Sequence, residues 1–274
     1  MKNLIAFVVS LLVSSAVSGQ EMIDCRIVDE GGAGTHKAMI ALYEDIPGCM
    51  IYRPVNILHA ASKTTLPIVL FCSGQQHSAD FERLLTEIAS FGYIVIADGS
   101  YSYEDDELKL LKPADETSLQ KALVTLREKS EEKGSIFNGI LDFSHIAYMG
   151  RLSSPEMLSD TNIKTYLCLD SSISDAHNPS LFIVGSLDDK AYSKAKADLD
   201  NAGKSFAAVA SIPVGREGTY SEAYGGSYST ISIQWLEWQL KGKEWSRKIF
   251  TGEECICMYS GWEIEYRNEN YIIN

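Results

Sequence analysis

The chain has 274 residues, with 24 Lys plus Arg against 37 Asp plus Glu and a formal net charge of −13. At 45% hydrophobic and 22% charged, its composition is that of a folded globular chain, not of a disordered tail or a fibre. The excess of anions argues against nucleic-acid binding, which needs clustered cations to release counterions, and against adhesion to an anionic membrane.

Lys2 is followed by a mostly apolar run from Leu4 to Val13 and then by the small residues Ser14, Ser15, Ala16 and Ser18. This order predicts a secretory signal peptide over residues 1–19, cleaved after Ser18 or Gly19, and hence a secreted or periplasmic protein. A membrane anchor is the weaker reading, because ten apolar residues reach only half of the ~20 that a bilayer core requires. No later stretch is long enough to span. The six cysteines, at 25, 49, 72, 168, 255 and 257, predict disulfides in an exported chain, with about 15 pairings open. Cys72 and Cys168 lie inside apolar runs, where a buried free thiol is at least as good a reading. Cys255 and Cys257 have no second Cys or His pair at ligand spacing, so no structural zinc is expected, and no cofactor is implied.

In chain order, Pro67–Cys72 is a continuous apolar run that ends at Ser73-Gly74-Gln75-Gln76. Phe81, Leu84, Leu85 and Ile88 then recur at helical spacing and define one apolar face. Tyr93–Ala97 is a second apolar run, ending at Asp98-Gly99, and the acidic segment from Tyr101 to Glu116 is expected to be a solvated loop. Leu119, Ala122, Leu123 and Leu126 mark a second helix, with Thr117 and Gln120 spaced as a capping box. Further apolar runs cover His145–Met149 before Gly150, Lys164–Leu169 before Asp170, Ser180–Val184 before Gly185, and Phe206–Val214 before Gly215. Tyr228, Ile231, Trp235 and Trp238 form a third helical stripe, stopped at Gly242. Continuous apolar runs are the pattern of strands buried on both faces. Their alternation with helices predicts an α/β domain with a mainly parallel central sheet and helices on both faces, occupying residues 20–274 without a large lid domain.

From Lys37 onward the chain resembles the secreted bacterial α/β-hydrolase family of serine esterases and polyester-hydrolase-like enzymes. The resemblance rests on Ile51-Tyr-Arg-Pro54, Leu66-Pro-Ile-Val-Leu70, the Glu87–Ile96 segment, Gly218-Thr-Tyr220, Gly225-Gly226, Trp235–Gly242 and the Cys255/Cys257 pair before Trp262. It implies the α/β-hydrolase fold, with a Gly-x-Ser-x-Gly turn after the strand that ends at Met149. The glycines of such a turn permit the strained geometry that exposes the serine. Here the segment is Gly150-Arg151-Leu152-Ser153-Ser154-Pro155, with Leu152 at the nucleophile position and Ser154 at the second glycine. Leucine has no heteroatom and cannot attack a carbonyl. The helix after the turn is shortened as well, since Ile163 follows Pro155 by only eight residues.

The resemblance places the family's histidine at Arg216, whose guanidinium cannot accept a proton near neutral pH. It places the acid at Asp189, with Asp188 the neighbouring candidate, and the oxyanion loop at Gly74 and Gln75 together with the Ser153 N–H. An Asp189–Arg216 ion pair is expected where the enzymes hold Asp and His. Loss of either the serine or the histidine costs a triad enzyme on the order of 10⁶ in turnover. The expectation is therefore a hydrolase fold without serine-esterase catalysis, with a binding or regulatory role and a small carboxylate or ester-like ligand in the residual pocket. The rival reading is an active carboxylic-ester hydrolase that uses Ser153 or Ser154. Its base would have to come from His36, His59, His77, His145 or His177, none of which stands at the family's base position; Ser at a helix start followed by Pro is equally the pattern of an N-cap.

Overall fold

A computed structural model describes residues 22–28, 31–104, 107–112, 117–152, 162–171, 173–174, 176–215, 219–251 and 261–268. Its centre is a ten-stranded sheet. Three strands come first: β1 (Met22–Ile27), β2 (Ala38–Tyr43) and β3 (Cys49–Pro54). After the short helix α1 (Ile57–Ala60) come β4 (Leu66–Cys72), α2 (Glu82–Ser90) and β5 (Ile94–Asp98). A separate two-stranded ribbon, β6 (Ser100–Glu104) and β7 (Glu107–Leu111), leads to α3 (Ser118–Glu131). The sheet resumes with β8 (Leu141–Gly150), β9 (Ile163–Leu169) and β10 (Ser180–Gly185), followed by α4 (Asp189–Asp200) and β11 (Ala207–Ile212). The chain continues through α5 (Gly226–Lys241), α6 (Glu244–Thr251) and β12 (Glu263–Arg267).

The strand order is β1-β2-β3-β5-β4-β8-β9-β10-β11-β12. Pairing is parallel from β5 through β11 and antiparallel at both flanks. The β4, β5 and β9–β11 interiors are buried on both faces, which is why they are apolar without alternation. One face packs on Leu84, Leu85 and Ile88 of α2 and on Tyr228, Ile231 and Trp235 of α5. The other packs on Leu119 and Leu123 of α3 and on Ala195 and Leu199 of α4. Trp235 is fully buried and donates its indole N–H to Thr165 Oγ1 at 2.7 Å, fastening α5 to β9. Gly242 closes α5 in the left-handed conformation (φ 63°), as its position after the apolar stripe predicts.

Several expectations need correction. The segment predicted as a solvated loop holds the β6–β7 ribbon, with Tyr103, Leu108, Leu110 and Leu111 at 41–54% exposure. Thr117 is the N-cap of α3 but makes no side-chain capping bond, so the predicted capping box is not formed. Strand β8 begins at Leu141, four residues before the predicted start at His145. Cys25, Cys72 and Cys168 are free thiols, Cys49 is buried, and Cys255 and Cys257, like residues 1–19, lie outside the described residues. Among the described residues no helix is long and apolar enough to cross a membrane.

Candidate functional site

In an open α/β sheet the ligand crevice forms at the carboxyl ends of two neighbouring strands whose outgoing connections run in opposite directions. Here those strands are β4, which leads to β5 on one side, and β8, which leads to β9 on the other. Their ends are clasped tightly. Gly150 has φ 125°, and a Cβ there would lie 2.0 Å from the Cys72 carbonyl oxygen, so only glycine fits. The Arg151 N–H donates to that same oxygen at 2.9 Å.

Leu152, the next residue, is 3% exposed and belongs to the apolar cluster that includes Tyr148, Ile173, Phe182 and Val184. Its N–H donates to Ser171 Oγ at 3.1 Å, and that hydroxyl donates to the Gly150 carbonyl at 3.2 Å. A nucleophile turn needs a strained backbone and an exposed side chain. Among the described residues, positive φ outside glycine occurs at Asp170, Tyr224 and Asn268, so position 152 has neither property.

The side chain that crosses the crevice belongs to Arg151. Its Nη2 lies 3.5 Å from the Tyr220 hydroxyl and 3.9 Å from Asp170 Oδ2, and the guanidinium carbon sits 5.9 Å from the Phe81 ring centre. Tyr220 stacks on Phe81 at 4.3 Å and accepts a bond from Gln76 Nε2 at 3.3 Å. Asp170 follows β9 directly in a left-handed conformation (φ 44°), and its side chain is wholly buried. Oδ1 accepts from the Tyr228 hydroxyl at 2.9 Å and from the Gly185 N–H at 3.2 Å. Oδ2 has no hydrogen-bond partner, and the buried Nε of Arg151 lacks one too. Burial pushes the Asp170 carboxyl up to about 6, aided by the charge of Asp188 and opposed by Tyr228, Gly185 and Arg151.

The predicted residues divide into three groups. Gly74 (φ 67°) and Gln75 are exposed at the crevice mouth, and a Cβ on Gly74 would lie 3.0 Å from that of Arg151. Asp188 caps α4, accepting from the Ala191 N–H at 3.2 Å, whereas Asp189 is the exposed first residue of that helix. Ser153, Ser154 and Arg216, and with them the Asp189–Arg216 pair, lie outside the described residues.

No described contact brings a histidine to a serine at the crevice. His77 Nδ1 accepts from the Ala79 N–H at 3.0 Å, which leaves the proton on Nε2, 2.7 Å from the Leu111 carbonyl. Both ring nitrogens are engaged. His145 pairs with Asp142 at 2.8 Å in the first half of β8. His177, just before β10, lies at the opposite end of the sheet, and His36 and His59 meet each other at 6.2 Å. The described serines around the crevice (Ser73, Ser78 and Ser171) each donate to a backbone carbonyl. The resulting cluster holds a cation, a carboxyl whose pKa is raised to about 6 and two phenols, and no nucleophile–base pair is found there among the described residues. The Ser144 hydroxyl lies 3.0 Å from His145 Nδ1, but in the first half of β8, away from the crevice. No group of His, Cys, Asp and Glu among the described residues is arranged to hold a metal ion. Sequence reasoning does not single out Asp170 or Tyr228; the one available signal for Asp170 is an acid placed directly at the carboxyl end of a buried strand.

A scan against protein-family models finds no match to the chain, and a search of curated proteins finds none either.

Proposed function

We propose that the chain is an exported protein of the α/β-hydrolase fold that has lost serine-esterase catalysis and binds a small carboxylate or ester-like ligand at the carboxyl ends of β4 and β8. The observation that carries this reading is Leu152. At the position that the resemblance gives to the nucleophile, this residue is buried in the core, with its backbone held by Ser171. The chain order supports the fold assignment: the turn after β8, the acids Asp188 and Asp189 after β10, and the 215–220 segment after β11 follow the nucleophile, acid and base order of these hydrolases. The carboxylate preference rests on the Arg151 guanidinium at the crevice, with an unpartnered buried Nε, and on Arg216, which precedes Tyr220 by four residues in the sequence.

Two assays test the proposal. Short-chain nitrophenyl esters are expected to turn over no faster with the protein than without it, and turnover that disappears in Ser153→Ala or Ser154→Ala would establish the esterase instead. Butyrate is expected to raise the melting temperature of the wild type but not of Arg216→Ala. No shift in the wild type removes the ligand assignment and leaves the loss of catalysis standing.

A further inference from the structure

The two edges of the sheet are built differently. Strand β12 ends the sheet beyond β11 and is guarded by charge: Glu265 pairs with Lys196, and Arg267 pairs with Asp200 at 2.8 Å. Charged side chains on an outer strand are a common protection against edge-to-edge pairing. If β12 met a copy of itself antiparallel about its centre, Glu265 would face Glu265, and like charges directly opposite destabilise a strand pair.

Among the described residues, strand β1 closes the other edge and pairs with β2 alone. Its side chains divide by alternation. Arg26 turns inward to an ion pair with Glu82 of α2, and Asp24 acts on Tyr101. Ile23 and Ile27 stand at 64% and 48% exposure, with Cys25 exposed between them. The run Ile23-Asp24-Cys25-Arg26-Ile27 is chemically self-complementary. Laid antiparallel on its own copy about Cys25, it sets Ile23 opposite Ile27 and Asp24 opposite Arg26, twice each. Lys and Pro are absent from Met22–Ile27; the edge carries a bulge between Met22 and Asp24 and two charges turned inward, which leave the Cys25–Ile27 stretch as its regular part.

We propose that β1 is a self-association edge, pairing antiparallel with β1 of a second copy of this chain about a twofold axis at Cys25 and joining the two sheets edge to edge. The occupant is a second copy because the charges and apolar residues complement each other in that register alone: shifting it by one residue moves the isoleucines out of opposition and brings the arginine and aspartate out of line. A contact built on one six-residue strand falls at the small end of specific interfaces, so the association is weak and reversible, with a dissociation constant in the micromolar range.

Sedimentation velocity on the purified protein, from about 1 to 100 µM, tests this. The wild type is expected to shift from monomer to dimer across the series. Ile23→Lys/Ile27→Lys changes only exposed side chains and is expected to stay monomeric throughout. Asp24→Lys and Arg26→Glu place like charges opposite each other in their own homodimers, and each is expected to weaken the dimer at least tenfold. In an equal mixture of the two, the lysine introduced at position 24 of one variant faces the glutamate introduced at position 26 of the other. The native Arg26 of the first likewise faces the native Asp24 of the second, so the mixture is expected to recover the wild-type dimer. That recovery cannot come from repair of either fold. A wild type that stays monomeric, a dimer that survives the double lysine variant, or a mixture no more associated than its components overturns the proposal.

Discussion

Two buried aspartates stand at the carboxyl end of the sheet, and they do different things. Asp98, at the end of β5, accepts the Ser73 N–H at 2.9 and 3.1 Å on its two oxygens, while its own carbonyl takes the Ser78 hydroxyl. It is a strap that holds the loop after β4 in place. Asp170, at the end of β9, has one oxygen bonded and the other unpartnered, sits in a left-handed backbone conformation, and faces an arginine beyond hydrogen-bond reach. Burial raises the pKa of both. The Asp98 carboxylate is thus fully bonded, although Gln76 Oε1 in the loop it holds is not, whereas Asp170 combines a strained backbone with an unpaired buried oxygen, the combination that marks a functional position.

Leu152→Ala removes a buried side chain just after β8 and is expected to lower unfolding stability by about 2–5 kcal/mol in urea titrations. A loss below about 0.5 kcal/mol would mean that residue 152 is not a core residue. The next effect is a pH dependence. In the unfolded chain Asp170 ionises near pH 4, whereas in the folded protein it holds its proton to about 6. Between those values the unfolded state loses its proton first, so stability falls as pH rises. The difference between wild type and Asp170→Asn should therefore shift by about 2–3 kcal/mol against the wild type from about pH 4 to 7. Parallel curves would remove the strained-acid assignment.

Asp98→Ala leaves the buried Ser73 N–H without its acceptor, and a loss of about 2 kcal/mol is expected with faster amide exchange at Ser73–Gln76. If instead this variant were neutral and Asp170→Asn abolished folding, the roles of the two aspartates would be reversed. The smallest effect belongs to Tyr228→Phe, which removes one bond to Asp170. It should cost about 1 kcal/mol near neutral pH and push the Asp170 carboxyl higher still, visible by carbon-detected NMR titration.

The parallel strands are legible because burial on both faces writes itself as unbroken apolar runs such as Ile68–Phe71 and Ile94–Ala97. The β6–β7 ribbon is not: Lys109 and its acidic neighbours hide the Leu108, Leu110 and Leu111 pattern, and the ribbon faces solvent. Strand β2 also escapes a reading of the sequence, although all six of its residues are buried. At the site, Leu152 can be located by its distance from Gly150 alone. The Asp170–Tyr228 bond cannot, because its partners are 58 residues apart and Tyr228 belongs to a stripe that is otherwise core. Local spacing carries a turn motif; a contact between a strand end and a helix start depends on how the sheet is wound.

The central claim is that no serine of this chain is activated as a nucleophile, and a fluorophosphonate tests it most directly. After prolonged exposure the intact mass of the purified wild type should be unchanged. A mass increase of one phosphonyl group that is lost in Ser153→Ala or Ser154→Ala would contradict the account.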